Sequence, residues 1–514
     1  MEVLLAVGAR IEVSSGANPS VHGGNRGPKE NEGSRDGRQG VGAPRSTCEP
    51  GEPIPRDPGE GRGRRIRMPQ EGTMTDTSKS DSMSPQLQRI ADMARQRPQM
   101  TFTSLNHLLC PELLREAFRR LRKDGAAGVD GRTWREYAGV LEERIPALLG
   151  QAKSGRYRAP PVRRVHIPKG TGSETRPIGI PTIEDKLLQK AVAMILGAIY
   201  EQDFHPGSFG FRPGRSAHQA LESLRNAVMG MGGGWVLEVD IRKFFDTVDH
   251  KHLRAFLRQR VRDGVILRLI GKWLKAGVLE AGSVSYPREG TPQGGVISPL
   301  LANLYLHEVL DRWWQNTVVP RLRGRSHLIR YADDFALVFE HESDARRVEA
   351  VLPKRFEKFG LTLHPEKTRL LPFERPGGGR PPPGQFDLLG FTLFWGRSRR
   401  GSWLVRYRTA KSRFRRGLAR IKVWCRVNRH LPLRVQQQAL TRKLRGHYAY
   451  YGVTFNHDAL AAFRHQVTRI WRRWLSRRSQ RAHISWEKFR ELLKRFPLPY
   501  ARIVHSYKRI AAKT

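Results

Sequence analysis

The sequence predicts an α+β chain: a central antiparallel sheet flanked by helices, followed by a strongly basic helical region. Three observations carry this expectation. Strand and helix signals run strand–helix–strand–strand–helix–strand over residues 235–395, an order that builds an antiparallel sheet with helices on one face. The stretch LIRYADDFALVF reads as a strand hairpin with Asp333 and Asp334 between two apolar runs. Charge is concentrated at one end. Lys plus Arg is 92 against 48 Asp plus Glu, a net +44. From Arg397 to Thr514 there are 32 Lys and Arg and three acids (Asp458, Glu487, Glu491), so +29 of that charge lies in the last 118 residues. A solvated helical face mixes the two signs; this one does not, and a polyanionic partner is the natural reading.

The chain has 514 residues, enough for two to four domains. Its three cysteines (Cys48, Cys110, Cys425) are far apart and form neither a zinc pattern nor a disulfide framework, which fits a reducing, cytoplasmic compartment. No apolar run approaches the roughly 20 residues that span a bilayer, so no membrane association is expected. The apolar run in MEVLLAVGAR is too short for a signal peptide, and acids within residues 1–60 argue against a transit peptide. Residues 1–84 are rich in Gly, Pro, Ser, Arg and Glu and lack apolar periodicity; such a segment buries too little surface to offset its ordering entropy and is expected to be disordered. Met68, Met74 and Met83 are alternative starts.

Periodic structure begins near Gln86. CPELLREAFRRLRKDGAAGVDG reads as an amphipathic helix ended by a Gly-rich turn. VRRVHIPKGTGSETRPIGIP reads as two short strands joined by a polar turn. Thr182 and Asp185 form a capping-box pattern before IEDKLLQKAVAMILGAIY, and Ser216 with Gln219 repeats the device after SFGFRPGR. GGGWVLEVDI is a glycine break followed by a strand. SPLLANLYLHEVLDRWW is a helix with Ser298 at its cap and Pro299 at its first position. PGGGRPPPG (376–384) is a surface loop before the strand FDLLGFTLF. From about Arg408 the pattern is helical, with Phe414, Leu418, Ile421 and Trp424 on one stripe.

VLEVDI ends at Asp240, 93 residues before Asp333. Neighbouring strands of one sheet could bring Asp240, Asp333 and Asp334 together. Three like charges tolerate closeness only around a cation, and hard oxygen donors without His or Cys suit Mg²⁺, which keeps water and substrate phosphates as its other ligands. Two such ions, roughly 3.5–4 Å apart, clamp the attacking and leaving oxygens of an in-line phosphoryl displacement. The residue types therefore fit nucleotidyl transfer. The plainer alternative is three unrelated aspartates, one in a strand and two in a turn.

Seven blocks occur in order: HIPKG with RPIGIP, FGFRPGRSAHQAL, VDIRKFFDTVDH, GTPQGGVISPLLANLYLHEVLD, RYADDF, FGLTLHPEKT and LLGFTLF. This arrangement, over roughly residues 86–514, resembles the motif blocks of group II intron reverse transcriptases, and the basic segment through LRGHYAYYGV and WRRWLSRR resembles their maturase region. The resemblance implies a right-hand polymerase: a reverse transcriptase domain at 85–395 (helical fingers about 85–235, antiparallel palm about 236–395) and a basic helical thumb/maturase domain with a nucleic-acid-binding tail at 396–514. It implies Asp240, Asp333 and Asp334 as catalytic metal ligands, with the backbone carbonyl of Ile241 helping, two Mg²⁺ ions (Mn²⁺ able to substitute), and Phe245 as a steric gate against a 2′-hydroxyl. Lys169 and Arg176 match positions that contact the incoming dNTP, and Gln293 and Gly294 lie near the primer end. Phe245 is otherwise a core ring, Lys169 and Arg176 a solvated hairpin, and Gly294 a turn residue. Tyr331, two positions before Asp333, shares its face by strand alternation, beside the primer or in the core.

Arg212 and Arg215 grip template phosphates or serve a surface loop. Arg413, Arg415, Arg416, Arg420, Arg472, Arg473, Arg477 and Arg478 are the expected nucleic-acid contacts of the basic helices, while Trp471 and Trp474 read as core. The resemblance makes the partners a group II intron RNA in a ribonucleoprotein, a DNA target or primer, and dNTPs; it leaves the oligomeric state open. Its maturase activity follows from the resemblance alone. Many relatives carry a C-terminal His-Asn-His nuclease with paired cysteines; no Cys pairs are present here, and no DNA-cleaving domain is expected. Two other readings compete: a non-catalytic splicing cofactor, which would have lost a carboxylate or the PQG loop, and a reverse transcriptase of a defence or other host system. Phe245 speaks against an RNA polymerase.

Overall fold

A computed structural model describes residues 83–168, 175–280, 282–286, 290, 294–377, 384–398, 400–479, 481 and 483–506. The expectations for residues 1–82, Lys169, Gln293 and most of the 376–384 loop fall outside them. Residues from Met83 onward form one compact unit.

Four helices open the unit: α1 (Pro85–Gln96), α2 (Pro111–Arg119), α3 (Trp134–Ala138) and α4 (Leu141–Ser154). α1 starts at Ser84, whose Oγ accepts from the Leu87 amide, and α2 carries Pro111 in its first turn, where a missing N–H is tolerated. Both pack against α5 (Ile183–Asp203). Leu187, Leu188, Ala191, Val192, Ile195, Leu196 and Ile199 of α5 are fully buried. The expected cap is present: Thr182 Oγ1 accepts from the Asp185 amide and donates to Asp185 Oδ2.

Strands β1 (Val162–Pro168) and β2 (Thr175–Ile180) pair antiparallel, from Arg163 opposite Ile180 to Pro168 opposite Thr175. Their sheet is completed by β5 (Val278–Glu280) and β6 (Ser283–Ser285) in the order β2-β1-β5-β6. Between the sheets run α6 (Ala217–Met231), capped by Ser216, then α7 (Phe244–Thr247), α8 (His250–Arg260) and α9 (Gly264–Leu274).

The central sheet has the order β10-β3-β8-β7, all antiparallel, built from β3 (Trp235–Val239), β7 (Ser326–Tyr331), β8 (Asp334–Phe339) and β10 (Arg369–Pro372). The expected hairpin at the two aspartates is present. Phe335, Ala336, Leu337, Val338 and Phe339 are all fully buried. Successive side chains of a strand point to opposite faces, so both faces of β8 are covered, where the sequence reading placed helices on one face only. α6 packs on β7 and β8, and α11 (Glu342–Glu357) on β3, β8 and β10. A two-stranded ribbon pairs β4 (Ile241–Arg242) with β9 (Thr362–Leu363).

Two boundaries depart from expectation. Helix α10 (Ser298–Leu306) begins with Ser298 inside it and Ile297 at the cap position. No side chain caps it: the Ser298 amide donates to the Gly295 carbonyl and the Leu300 and Leu301 amides to that of Ile297, while Gln189 Oε1 of α5 accepts from the Val296 amide just before the helix. Beyond α10 the backbone widens into π-helical turns at His307–Asp311 and Trp314–Val318. FDLLGFTLF is a hairpin rather than a single strand: β11 (Phe386–Leu388) turns through Leu389 (φ 52°) and Gly390 (φ 82°) into β12 (Phe391–Arg397). Left-handed conformation at both central residues matches the twist of paired strands. β13 (Trp403–Thr409) adds a third strand and carries this sheet across residue 396, where the sequence reading set a domain boundary. The basic helices follow: α12 (Lys411–Val427), α13 (Leu433–Tyr451), α14 (His457–Leu475) and α15 (Trp486–Arg495). No described helix is long and apolar enough to cross a membrane.

Candidate active site

The register of the central sheet brings the three aspartates together. Val239 of β3 pairs with Phe335 of β8. The ladder ends there, so Asp240 and Asp334 are the residues next to its last pair, and Asp240 is near enough to act on the Asp334 carboxyl. Asp333 sits beside them in the β7–β8 turn, where Tyr331 pairs with Asp334. Strand alternation therefore does not relate Tyr331 to Asp333, contrary to the sequence reading, because the turn begins between them. At Asp240 the chain also changes partner: its carbonyl accepts from the His364 amide at 2.8 Å, and the buried Ile241 pairs with Leu363.

Electrostatics agree with this juxtaposition. Burial raises the pKa of Asp334, and the negative charges of Asp333 and Asp240 raise it further, while Arg413 of α12 opposes them. Lys367 Nζ lies 2.8 Å from Asp240 Oδ2. A monovalent cation thus already rests on the carboxylate group. The donors are all oxygen and each aspartate is half-buried, which fits a hard divalent cation whose remaining ligands are water and substrate phosphates. Among the described residues, no group of three His, Cys, Asp or Glu side chains is disposed to hold a metal ion as it stands.

The turn that presents Asp333 is strained and braced. Ala332 has φ +59°, a left-handed conformation costing roughly 1–2 kcal/mol for a residue with a Cβ. Its carbonyl accepts from Arg330 Nη1 at 3.1 Å. Arg330 is fully buried. It forks onto Asp311, with Nε to Oδ1 at 2.9 Å and Nη2 to Oδ2 at 2.5 Å, and donates to Asn303 Oδ1 at 3.0 Å. Asn303 donates in turn to the Gly210 carbonyl at 2.7 Å. Burial alone would push the Asp311 carboxyl up; Arg330 and His307 outweigh it and hold its pKa down at about 2. Sequence reasoning missed Arg330, Asp311, Asn303 and Lys367. One signal was available: an arginine inside the apolar strand LIRYADD must find a partner if buried.

The remaining expected residues divide. Phe244 is buried and Phe245 half-buried, with their rings edge-on at 5.3 Å, so the core place belongs to Phe244. Gly294 (φ +114°) lies where a Cβ would come within 2.5 Å of the Gly179 carbonyl of β2, so close backbone approach requires glycine there. On the other side of that loop, Gly290 bonds Val248 through its amide and His250 through its carbonyl. The loop therefore links β2, which carries the half-buried Arg176, to the segment after Asp240.

Arg212 corrects the sequence reading. It is 9% exposed and its donors are committed to Glu201 (2.9 Å) and to the carbonyls of His205 and Ser208, so it holds its own loop rather than a phosphate. Arg215 is exposed. Among the basic helices, Arg472 donates to the Ile484 carbonyl and Arg478 to those of Arg429 and Leu431, which are structural duties. Arg415, Arg420, Arg473 and Arg477 are exposed; Arg413 and Arg416 are half-buried. Trp471 is core, its indole N–H donating to Gln436, whereas Trp474 is only half-buried.

A sheet that presents clustered aspartates at a hairpin defines a polymerase-type fold. Residues 167–393 match the family model described as reverse transcriptase (RNA-dependent DNA polymerase). The chain is 35% identical over 364 residues to protein YkfC of Escherichia coli (strain K12), covering 63% of this chain and 91% of that one. It is 40% identical over 228 residues to the group II intron-encoded protein LtrA of Lactococcus lactis subsp. cremoris, covering 44% of this chain and 38% of LtrA. It is 27% identical over 235 residues to nuclear intron maturase 2, mitochondrial, of Arabidopsis thaliana, covering 38% of this chain and 30% of that one. The chain belongs to the group II intron reverse transcriptase/maturase family, and its class of activity is RNA-directed DNA polymerase. Such chemistry depends on divalent metal.

Proposed function

We propose that this protein extends a DNA primer on group II intron RNA with dNTPs, and that it also binds that RNA as a maturase during splicing. The observation that supports the reading is the β3–β8 register, whose last pair, Val239 with Phe335, adjoins Asp240 and Asp334, with Asp333 in the neighbouring turn. On this reading β1 and β2 with the N-terminal helices are the fingers, the central sheet is the palm, and α12–α15 are the thumb. Asp240, Asp333 and Asp334, with the Ile241 carbonyl, would hold two Mg²⁺ ions, which would lower the barrier to attack by the primer 3′-hydroxyl and offset charge on the leaving pyrophosphate. Lys367 pairs with the Asp240 carboxylate. Arg176 and Lys169 neutralise the triphosphate, Gln293 lies near the nascent pair, and the half-exposed Phe245 ring excludes a 2′-hydroxyl. Exposed arginines of α12 and α14 track phosphates. A bacterial cytoplasmic ribonucleoprotein is the setting that this chemistry fits.

The test is primer extension on an RNA template with dNTPs and Mg²⁺, comparing wild type with Asp333→Ala/Asp334→Ala. Synthesis by the first and none by the second is expected. Equal synthesis by both would remove these carboxylates from the chemistry. Wild type that made no DNA yet promoted intron splicing would leave only the maturase role.

A further inference from the structure

Phe211 is out of place by two independent measures. It is 41% exposed, and its backbone is in the left-handed region at φ +57°. A large apolar ring in water gains nothing from burial, and a residue with a Cβ in that conformation costs roughly 1–2 kcal/mol. Such a combination persists only where the surroundings impose it, and it marks function more often than packing.

The surroundings do impose it. The loop around Phe211 is laid along the edge of β7: the Phe209 amide donates to the Arg330 carbonyl, and the Arg330 amide donates to the Gly207 carbonyl, each at 2.8 Å. The Gly210 carbonyl is held by Asn303. Gly210 lies so close to the catalytic turn that a Cβ there would stand 2.3 Å from the Ala332 amide nitrogen. On the far side, Arg212 is clamped to Glu201 and to two carbonyls. Phe211 alone is left projecting between fixed neighbours. Its ring faces that of Tyr331, the residue paired with Asp334, with centroids 6.4 Å apart. An exposed Arg215 lies four residues on.

We infer that Phe211, backed by Tyr331, is a contact surface for a nucleotide: it stacks on the terminal base pair of the template–primer duplex. The position argues for this occupant. Tyr331 precedes Asp333 by two residues, and the primer 3′-hydroxyl must reach that carboxylate, so the ring pair flanks the last pair of the duplex. Every base has a π-face, so stacking holds any sequence, as a polymerase requires. The brace formed by Arg330, Asp311 and Asn303 fixes the ring and the carboxylates as one rigid piece. This inference rests on the polymerase reading for the identity of the duplex.

The experiment is a titration of the full chain with an RNA–DNA template–primer carrying 2-aminopurine at the template base opposite the primer terminus, alongside primer extension. Phe211→Asn deletes the ring while tolerating the left-handed backbone, so the loop is preserved; Phe211→Trp keeps a ring. Thermal unfolding confirms that both fold, which is expected for an exposed position. Loss of one stacked base weakens binding by about 10-fold in Phe211→Asn, with loss of the 2-aminopurine quench, and leaves Phe211→Trp within about twofold of wild type. Equal affinity and equal quench in Phe211→Asn and wild type would overturn the inference, whatever the extension assay shows. If wild type extends no primer yet binds with ring-dependent affinity, the stacking surface stands and the polymerase reading falls.

Discussion

Removing Asp311 should damage the protein in two separable ways. Asp311 and Arg330 form a fully buried forked pair, at 2.9 and 2.5 Å. Breaking a buried pair from one side leaves an uncompensated charge and costs about 3–5 kcal/mol. Asp311→Ala should therefore raise the unfolding constant by about two to four powers of ten. Asp311→Asn, which keeps one acceptor, should lose about 2 kcal/mol. Replacing both partners by apolar residues of similar volume, Arg330→Met with Asp311→Leu, removes the charge and should return stability to within about 1–2 kcal/mol of wild type. It cannot restore the hydrogen bond from Arg330 to the Ala332 carbonyl, so the strained turn that presents Asp333 loses its brace. The double variant is thus predicted to fold well and extend primers slowly, with kcat reduced at least 10-fold and KM for dNTP little changed. Urea unfolding and steady-state primer extension on wild type and these three variants check this. A single variant costing under about 1 kcal/mol would show that the pair is not buried. A double variant with wild-type kcat would show that the pair does not position the turn.

Three further outcomes follow from the geometry. Phe245→Ala should admit ribonucleotides, raising the ratio of kcat/KM for a ribonucleoside to a deoxyribonucleoside triphosphate by at least 10-fold in single-nucleotide insertion; an unchanged ratio would place the gate elsewhere. His218, stacked on His505 at 3.9 Å beside Tyr450 and Phe391, and His447, stacked on Phe463 at 3.8 Å, are both pushed down to about 4, by burial above all, with His505 adding to it at His218. Their folded pKa lies below the unfolded value near 6.5, so the unfolded chain takes up these protons first. Stability is then complete above pH about 6.5 and falls towards pH 4 by about 1.4 kcal/mol per unit for each histidine; His218→Gln should flatten that acid limb in unfolding titrations. Arg415→Gln, Arg420→Gln, Arg473→Gln and Arg477→Gln should each reduce the salt slope of RNA binding by about one where the side chain meets a phosphate, whereas Arg472→Gln and Arg478→Gln should lower the melting temperature instead.

Local chemistry made much of this protein legible from its residues in order. Period and punctuation placed α2, α5 and α6, the β1–β2 and β7–β8 hairpins and, to within a residue, the strand before Asp240, because apolar spacing, Ser or Thr caps and proline act within a few residues of themselves. Motif order pointed to the three aspartates and the family. Long-range partners were not legible. Whether Arg212 meets a phosphate or its own loop depends on Glu201 and two carbonyls; whether Arg478 meets RNA depends on carbonyls 49 and 47 positions back in the sequence. The turn leading into helix α10 is held by Gln189, on another helix, which accepts from the Val296 amide. FDLLGFTLF bends because β13 waits to pair with its second half, against the preference of Leu389 for negative φ. The buried Arg330–Asp311 fork joins residues 19 positions apart and clamps a strained alanine between the candidate aspartates and the loop of Phe211. Residue types and their order determined which chemistry this chain carries. Which polar groups are free to perform it was decided only by folding, since a donor already paired inside the protein is not available to a substrate.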